Sequence, residues 1–267
     1  MKKRHKTFCV FRNRIFTGQL ANAASLSEYL FMNEQARIGF DRRTTRIGAE
    51  EYIYEIYTPR VFAKEEKPPV IVFLHGIRER GTNGFVSASG AFALLLNQFL
   101  NRIPAIILFP QCRPGKYWSD AEMEEMVMRE IAKTVAEFDA AARRVYLLGV
   151  SMGGYGAWHF AARYPEKFAA LVSICGGSPI LTGDRFAPIA EKVKDIPAWV
   201  FHGADDTVVP VTESRSLVAA LQTAGGKVRY SEYPRVGHNV WLQALGEKDL
   251  MPWLLAQESA EKNLKYS

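Results

Sequence analysis

Cysteine is scarce in this chain: Cys9, Cys112 and Cys175 are the only three in 267 residues. That is too few for a disulfide framework, and their spacing fits no metal site. No apolar run approaches the ~20 residues that a membrane-spanning helix needs. There is no Walker loop, no dinucleotide fingerprint and no His/Asp cluster at metal-ligand spacing. No cofactor and no metal are therefore expected. A secretory leader requires an unbroken apolar core of about 7–15 residues. The stretch from Phe8 to Phe16 is interrupted by Arg12, Asn13 and Arg14, so a cytoplasmic location is expected. Repeats and low-complexity linkers are also missing.

The net charge of +6 is not spread over the molecule. Lys2, Lys3, Arg4, Lys6, Arg12 and Arg14 all precede the first acidic residue, Glu28, and the remaining 28 basic residues face 28 acidic ones. The basic pI thus describes a tail and not a binding face, which gives no reason to expect nucleic acid or membrane as a partner. Residues 1–39 read as a basic N-terminal extension, with 40–267 as one folded domain. An apolar content of 48% is enough for one large core.

From Phe40 onward the text alternates strand and helix. Thr44–Ile47 and Tyr52–Thr58 read as two strands around the Gly48-Ala49 turn. Val70–Leu74, Ala105–Phe109, Val145–Val150, Ala169–Cys175 and Ala198–Phe201 are continuous apolar runs, as strands buried on both faces should be. Helices are expected over 88–101, 121–141, 154–164 and 213–224, and a closing one from Leu250 to Ala260. Lys227–Tyr233 is the last strand. The pattern predicts an α/β fold: a mostly parallel sheet of about eight strands, helices on both faces, and ligands at the carboxyl ends of the strands.

The chain is organised around Gly149-Val150-Ser151-Met152-Gly153. An apolar run enters this pentapeptide and a helical stretch leaves it, the strand–turn–helix context in which G-x-S-x-G exposes a nucleophilic serine. A serine hydroxyl needs a base within hydrogen-bond reach, and the base needs an orienting acid. Of five histidines, His5 lies in the tail and His159 in mid-helix. His75 and His202 each end a buried strand and precede glycine, where a histidine commonly serves loop geometry. His238, in Gly237-His238-Asn239 after the last strand, is the expected base. Asp205 and Asp206 both follow the strand ending at Phe201, so either satisfies the order Ser, Asp, His. Two main-chain amides should face the oxyanion: Met152, beside the nucleophile, and Ile77, in the loop after Leu74. Tyr117 and Trp118 are candidates to line an acyl or aryl pocket, with core packing as the alternative.

Several segments recur together in a known family. They are His75-Gly76-Ile77-Arg78-Glu79-Arg80-Gly81, Pro110-Gln111-Cys112, the serine pentapeptide, Ile174-Cys175-Gly176-Gly177, His202-Gly203-Ala204-Asp205-Asp206 and Gly237-His238. From about Phe40 to Ala260 the chain resembles the α/β-hydrolase esterases with a His-Gly-x-x-Glu-Arg-Gly loop. These are related to feruloyl esterases and dienelactone hydrolases and are often grouped with prolyl-oligopeptidase-like enzymes. The resemblance implies the α/β-hydrolase fold, no cofactor, and Asp206 as the acid. It also marks a departure: where relatives carry small residues, this chain has Ile77-Arg78.

The segment from Gly176 to Pro197 is short and mixed, so no large lid domain and a fairly open site are expected. The resulting expectation is a serine carboxylesterase acting on short-chain or aryl esters as small-molecule partners. A peptidase or thioesterase on the same fold is one alternative, though a peptidase usually adds a gating domain. A non-catalytic binding protein on a hydrolase scaffold is another, but no member of the triad is missing. The oligomeric state is not encoded in any readable pattern.

Overall fold

A computed structural model describes residues 39–59, 67–86 and 103–260. The basic extension through residue 38 and the helix expected over 88–101 lie outside them. Eight strands form one sheet: β1 (Phe40–Ile47), β2 (Glu50–Tyr57), β3 (Val70–Leu74), β4 (Ile106–Phe109), β5 (Val145–Val150), β6 (Ala170–Ile174), β7 (Ala198–Gly203) and β8 (Val228–Tyr233). Their spatial order is β1-β2-β4-β3-β5-β6-β7-β8. β1 pairs antiparallel with β2, and β2 with β4; every other pairing is parallel.

The period-two side-chain alternation of strands divides the core into two layers. Val70, Val72, Leu74, Val145 and Leu147 enter the cluster covered by α1 (Ala121–Glu137), α2 (Met152–Arg163), α3 (Ala187–Val193) and α4 (Thr212–Thr223). Ile71, Phe73, Tyr146, Leu148 and Val150 enter the opposite one, which α5 (Trp241–Gly246) and α6 (Leu250–Leu255) cover. A strand buried on both faces must be apolar at every position, which is why β3 and β5 read as unbroken apolar runs.

The chain leaves β3 toward β4 on one side and returns to β5 on the other. This reversal is the topological switch point, where loops from adjacent strands diverge and leave a crevice at their carboxyl ends. The serine turn follows β5 and the Ile77 loop follows β3, so both open into that crevice.

The carboxyl-terminal helix differs from expectation. It begins at Leu250 as expected but ends at Leu255 rather than Ala260, and the short α5 precedes it. The helix stops at Leu255 because partners outside it capture the carbonyls at its end. Arg144 donates to the Leu255 oxygen at 3.1 Å, and the Tyr146 hydroxyl to that of Gln257 at 2.9 Å. Residues 176–197 form a loop and α3, with no separate lid among the described residues.

Candidate active site

Ser151 sits between β5 and α2 with φ 56° and ψ −118°, a strained conformation for a residue with a side chain. The glycines on either side follow from sterics. A Cβ at Gly149 would lie 1.9 Å from the Gly153 carbonyl oxygen, and one at Gly153 would lie 1.8 Å from that of Leu74. No side chain fits either position. The turn therefore presents the serine hydroxyl to the crevice while α2 begins directly behind it.

The structure brings three of the expected side chains together. His238 Nε2 is 2.9 Å from Ser151 Oγ, and His238 Nδ1 is 2.7 Å from Asp206 Oδ2. Of the two candidate acids it is Asp206 that meets the imidazole, whereas Asp205 is exposed. Oδ1 of Asp206 accepts from the amides of Val208 and Val209 at 2.8 and 2.9 Å. Burial by itself would raise the Asp206 pKa. The hydrogen bond from His238 and those two amides outweigh it and hold the carboxyl below its ordinary range. The acid is thus an anion locked in orientation, and its second oxygen faces the His238 imidazole, with His202 Nε2 also 3.2 Å from it.

Two main-chain amides complete the arrangement. Met152 is the first residue of α2, and Ile77 is the first residue of a single 3-10 turn, Ile77–Glu79. The first N–H groups of a helix have no acceptor within it. Neither amide donates to another main-chain carbonyl among the described residues. A Cβ at Gly76 would lie 3.7 Å from Ser151 Cβ, so the loop carrying Ile77 runs beside the nucleophile. The cleft over the serine has a volume of about 680 Å³, and Phe73, Val86, Val150, Val208 and Trp241 supply much of its apolar wall. Trp241 stands edge-on to the His238 ring at 5.9 Å. Arg78 and Glu79 bring charge to the same cleft. Arg78 is exposed and has no ion-pair partner among the described residues.

The aromatic pair requires a correction. Neither Tyr117 nor Trp118 lines this cleft. Trp118 is 1% exposed; its indole N–H donates to the His75 carbonyl oxygen at 3.0 Å, and its ring meets the His75 ring edge-on. An indole with a buried acceptor for its one polar atom belongs in the core. Tyr117 is 53% exposed and lies under the Arg80 guanidinium, 4.4 Å from the ring centroid.

The other strand-end histidines have both nitrogens occupied. His75 Nε2 accepts from the Cys112 amide at 3.0 Å, so the proton lies on Nδ1, which donates to the Gly76 carbonyl at 2.6 Å. Burial pushes His75 down to about 4, so it stays neutral. His202 lies between Ser214 Oγ at 2.7 Å and the Val209 carbonyl at 2.9 Å, behind Asp206. His159 bonds Glu124 at 2.7 Å on the far side of α2.

Sequence reading did not single out Cys175. Its sulfur and ligand atoms of Asp206 and His238 lie within 4.8 Å of one another, the one such grouping among the described residues. Burial raises the thiol pKa, so the sulfur packs against the triad as a protonated, largely apolar group. Its place at the end of β6, between the strands that deliver Ser151 and Asp206, is the signal that marks it in retrospect.

This geometry can be set beside known proteins. The sequence model of the phospholipase/carboxylesterase family matches residues 117–248. A solved thermostable esterase is 34% identical with a TM-score of 0.74, over 84% of this chain and 64% of that one. The chain has the α/β-hydrolase fold. A ferulic acid esterase structure, 18% identical, shares the fold with a TM-score of 0.63 over 81% of this chain and 97% of the other. Acyl-protein thioesterase 1 of Cryptococcus neoformans is 25% identical over 235 residues, 73% of this chain and 95% of that protein. Shorter matches run to an uncharacterized secreted protein of Arthroderma benhamiae and to an acyl-protein thioesterase 1 homolog of Dictyostelium discoideum. The alignments span only 14% and 30% of those two proteins. Among the described residues no helix is long and apolar enough to cross a membrane.

Proposed function

We propose that this α/β-hydrolase is a cofactor-free serine carboxylesterase acting on short-chain or aryl esters. The observation that carries the reading is the continuous hydrogen-bonded line Ser151–His238–Asp206 beside two unengaged helix-start amides. The hydroxyl of Ser151 donates to Nε2 of His238, whose Nδ1–H donates to Asp206. As Oγ attacks the ester carbonyl, its proton passes to Nε2. The amides of Met152 and Ile77 receive the negative oxygen of the tetrahedral intermediate. The imidazolium is stabilised by Asp206, which stays ionised, and returns its proton to the departing alcohol. Water then repeats the sequence on the acyl-serine, releasing the acid and restoring Ser151.

The apolar wall of the cleft supports an aryl or short alkyl acyl group, and Ile77 and Val208, both exposed at its mouth, extend that wall outward. An acyl-chain series of p-nitrophenyl esters together with methyl ferulate tests the preference, and mass spectrometry locates an organophosphate label. The reading expects the label on Ser151 and no turnover by Ser151→Ala in a folded protein. Wild-type rates from Ser151→Ala would refute it.

A thioester-cleaving reading has one specific observation in its favour, the likeness to acyl-protein thioesterase 1 along nearly all of that protein. Matched oxoester, thioester and amide substrates with one acyl group separate the two. Thiolate leaves readily, so a general esterase should cleave both ester types and spare the amide. Selective thioester cleavage would favour the second reading.

A further inference from the structure

The loop that carries Ile77 is tied down by one side chain from the neighbouring strand. Gln111 follows β4, which pairs in parallel with β3, so the loops after the two strands leave side by side. The Gln111 side chain is buried, and its amide is fully engaged with that loop. Its Oε1 accepts from the Gly84 amide at 2.7 Å. Its Nε2 donates to the Glu79 carbonyl and to Asn83 Oδ1, each at 3.2 Å. Gly81 packs directly on this amide, since a Cβ there would lie 2.5 Å from Nε2. The Gly81 amide in turn donates to the Cys112 carbonyl at 3.0 Å. Glu79 closes the same 3-10 turn that Ile77 opens, so the contact on its carbonyl fixes the turn two residues from the amide that matters.

We propose that Gln111 is a positioning residue for the esterase reaction, holding the Ile77 amide where the oxyanion forms. The inference rests on the serine-esterase reading. A glutamine is suited to the task because the loop offers both kinds of partner. Glu79 and Asn83 present acceptors and Gly84 presents a donor, and only a carboxamide answers all three. Glutamate would set a negative charge against two oxygens, and methionine would fill the volume while making none of the bonds. An oxyanion donor acts on the transition state far more than on the bound ester. Its misplacement should therefore lower kcat and leave KM nearly alone.

The test compares wild type with Gln111→Met, Gln111→Glu and Asn83→Ala. Asn83 is exposed, so its replacement leaves the core intact and serves if the Gln111 variants fold poorly. Organophosphate titration counts active sites, so kcat is read per competent site. A boronic acid that mimics the tetrahedral intermediate is measured as inhibitor. Loss of one oxyanion donor typically costs about 10²–10³-fold in kcat, and partial displacement should cost about 10- to 100-fold. The expected result is that loss in the Gln111 variants, a smaller one in Asn83→Ala, KM within about threefold, and boronate affinity falling in step with kcat. Variants that melt earlier yet keep kcat per site within about twofold of wild type would overturn the positioning role and leave the esterase reading standing. A wild type that neither labels at Ser151 nor turns over esters would overturn both.

Discussion

Alanine at position 153 adds one methyl group where backbone meets backbone. Its Cβ would stand 1.8 Å from the Leu74 carbonyl oxygen, 2.4 Å from the carbonyl carbon and 2.9 Å from the His75 carbonyl oxygen. Comfortable contact begins near ~3.5 Å, so the start of α2 and the end of β3 must part by roughly 1.5 Å. No flexible side-chain end is among these atoms that could swing away. Overpacking of this kind costs about 1–3 kcal/mol. For a domain of this size that corresponds to a Tm lower by roughly 2–12 °C. The rate should suffer more. Gly153 adjoins Met152, and Leu74 leads into the loop of Ile77, so separating them separates the two oxyanion amides. Displacements near 1 Å cost about 10²-fold in catalysis. Calorimetry and kcat per titrated site on a short p-nitrophenyl ester measure both effects. Gly246→Ala is the control, since a Cβ there meets nothing within 4 Å. Gly153→Ala with wild-type Tm and wild-type kcat would refute the steric account of the turn.

Asp206→Asn should keep the fold, because an amide oxygen still accepts from Val208 and Val209. It should reduce kcat/KM by about 10⁴-fold, because the carboxamide cannot hold the imidazole in the required tautomer. Glu130 is wholly buried in α1, and neither carboxyl oxygen has a hydrogen-bond partner among the described residues. Burial raises its pKa well above the ordinary value, opposed by Lys133. The folded chain therefore keeps a proton that the unfolded chain loses, so this group's contribution to stability falls as pH rises from the normal carboxyl range toward the raised value. Urea midpoints between pH 5 and 9 should decline less steeply for Glu130→Gln than for wild type, and parallel slopes would exclude the effect.

Much of the fold is legible in the residues because buried parallel strands must be apolar throughout. β3 and β5 appear in the sequence at their observed boundaries. The nucleophile turn is legible for a similar reason, since steric exclusion leaves only glycine at 149 and 153. Asp205 and Asp206 were not separable by residue type, since both are aspartates after one strand. The amides of Val208 and Val209 separate them by turning the second inward. Trp118 misled because an aromatic near a strand end has two uses. Its indole bond to the His75 carbonyl, which puts it in the core, depends on a contact 43 residues away. The early end of α6 at Leu255 was hidden likewise, because Arg144 and Tyr146, far back in the chain, capture carbonyls at and just beyond its last residue.

Three histidines end strands or follow them on this side of the sheet, and burial divides their work. His75 and His202 are enclosed, with each ring nitrogen held by a neighbour, so neither has a lone pair to offer a substrate. They fix the loops from which Ile77 and Asp206 project. His238 is held at one nitrogen by a buried anion, and its other nitrogen meets the Ser151 hydroxyl at the cleft. A general base needs one restrained edge and one free edge, since the first sets the tautomer and the second moves the proton. On that criterion the base is the histidine with one nitrogen on a buried anion and the other on a hydroxyl that faces the cleft, which is His238 without reference to any relative.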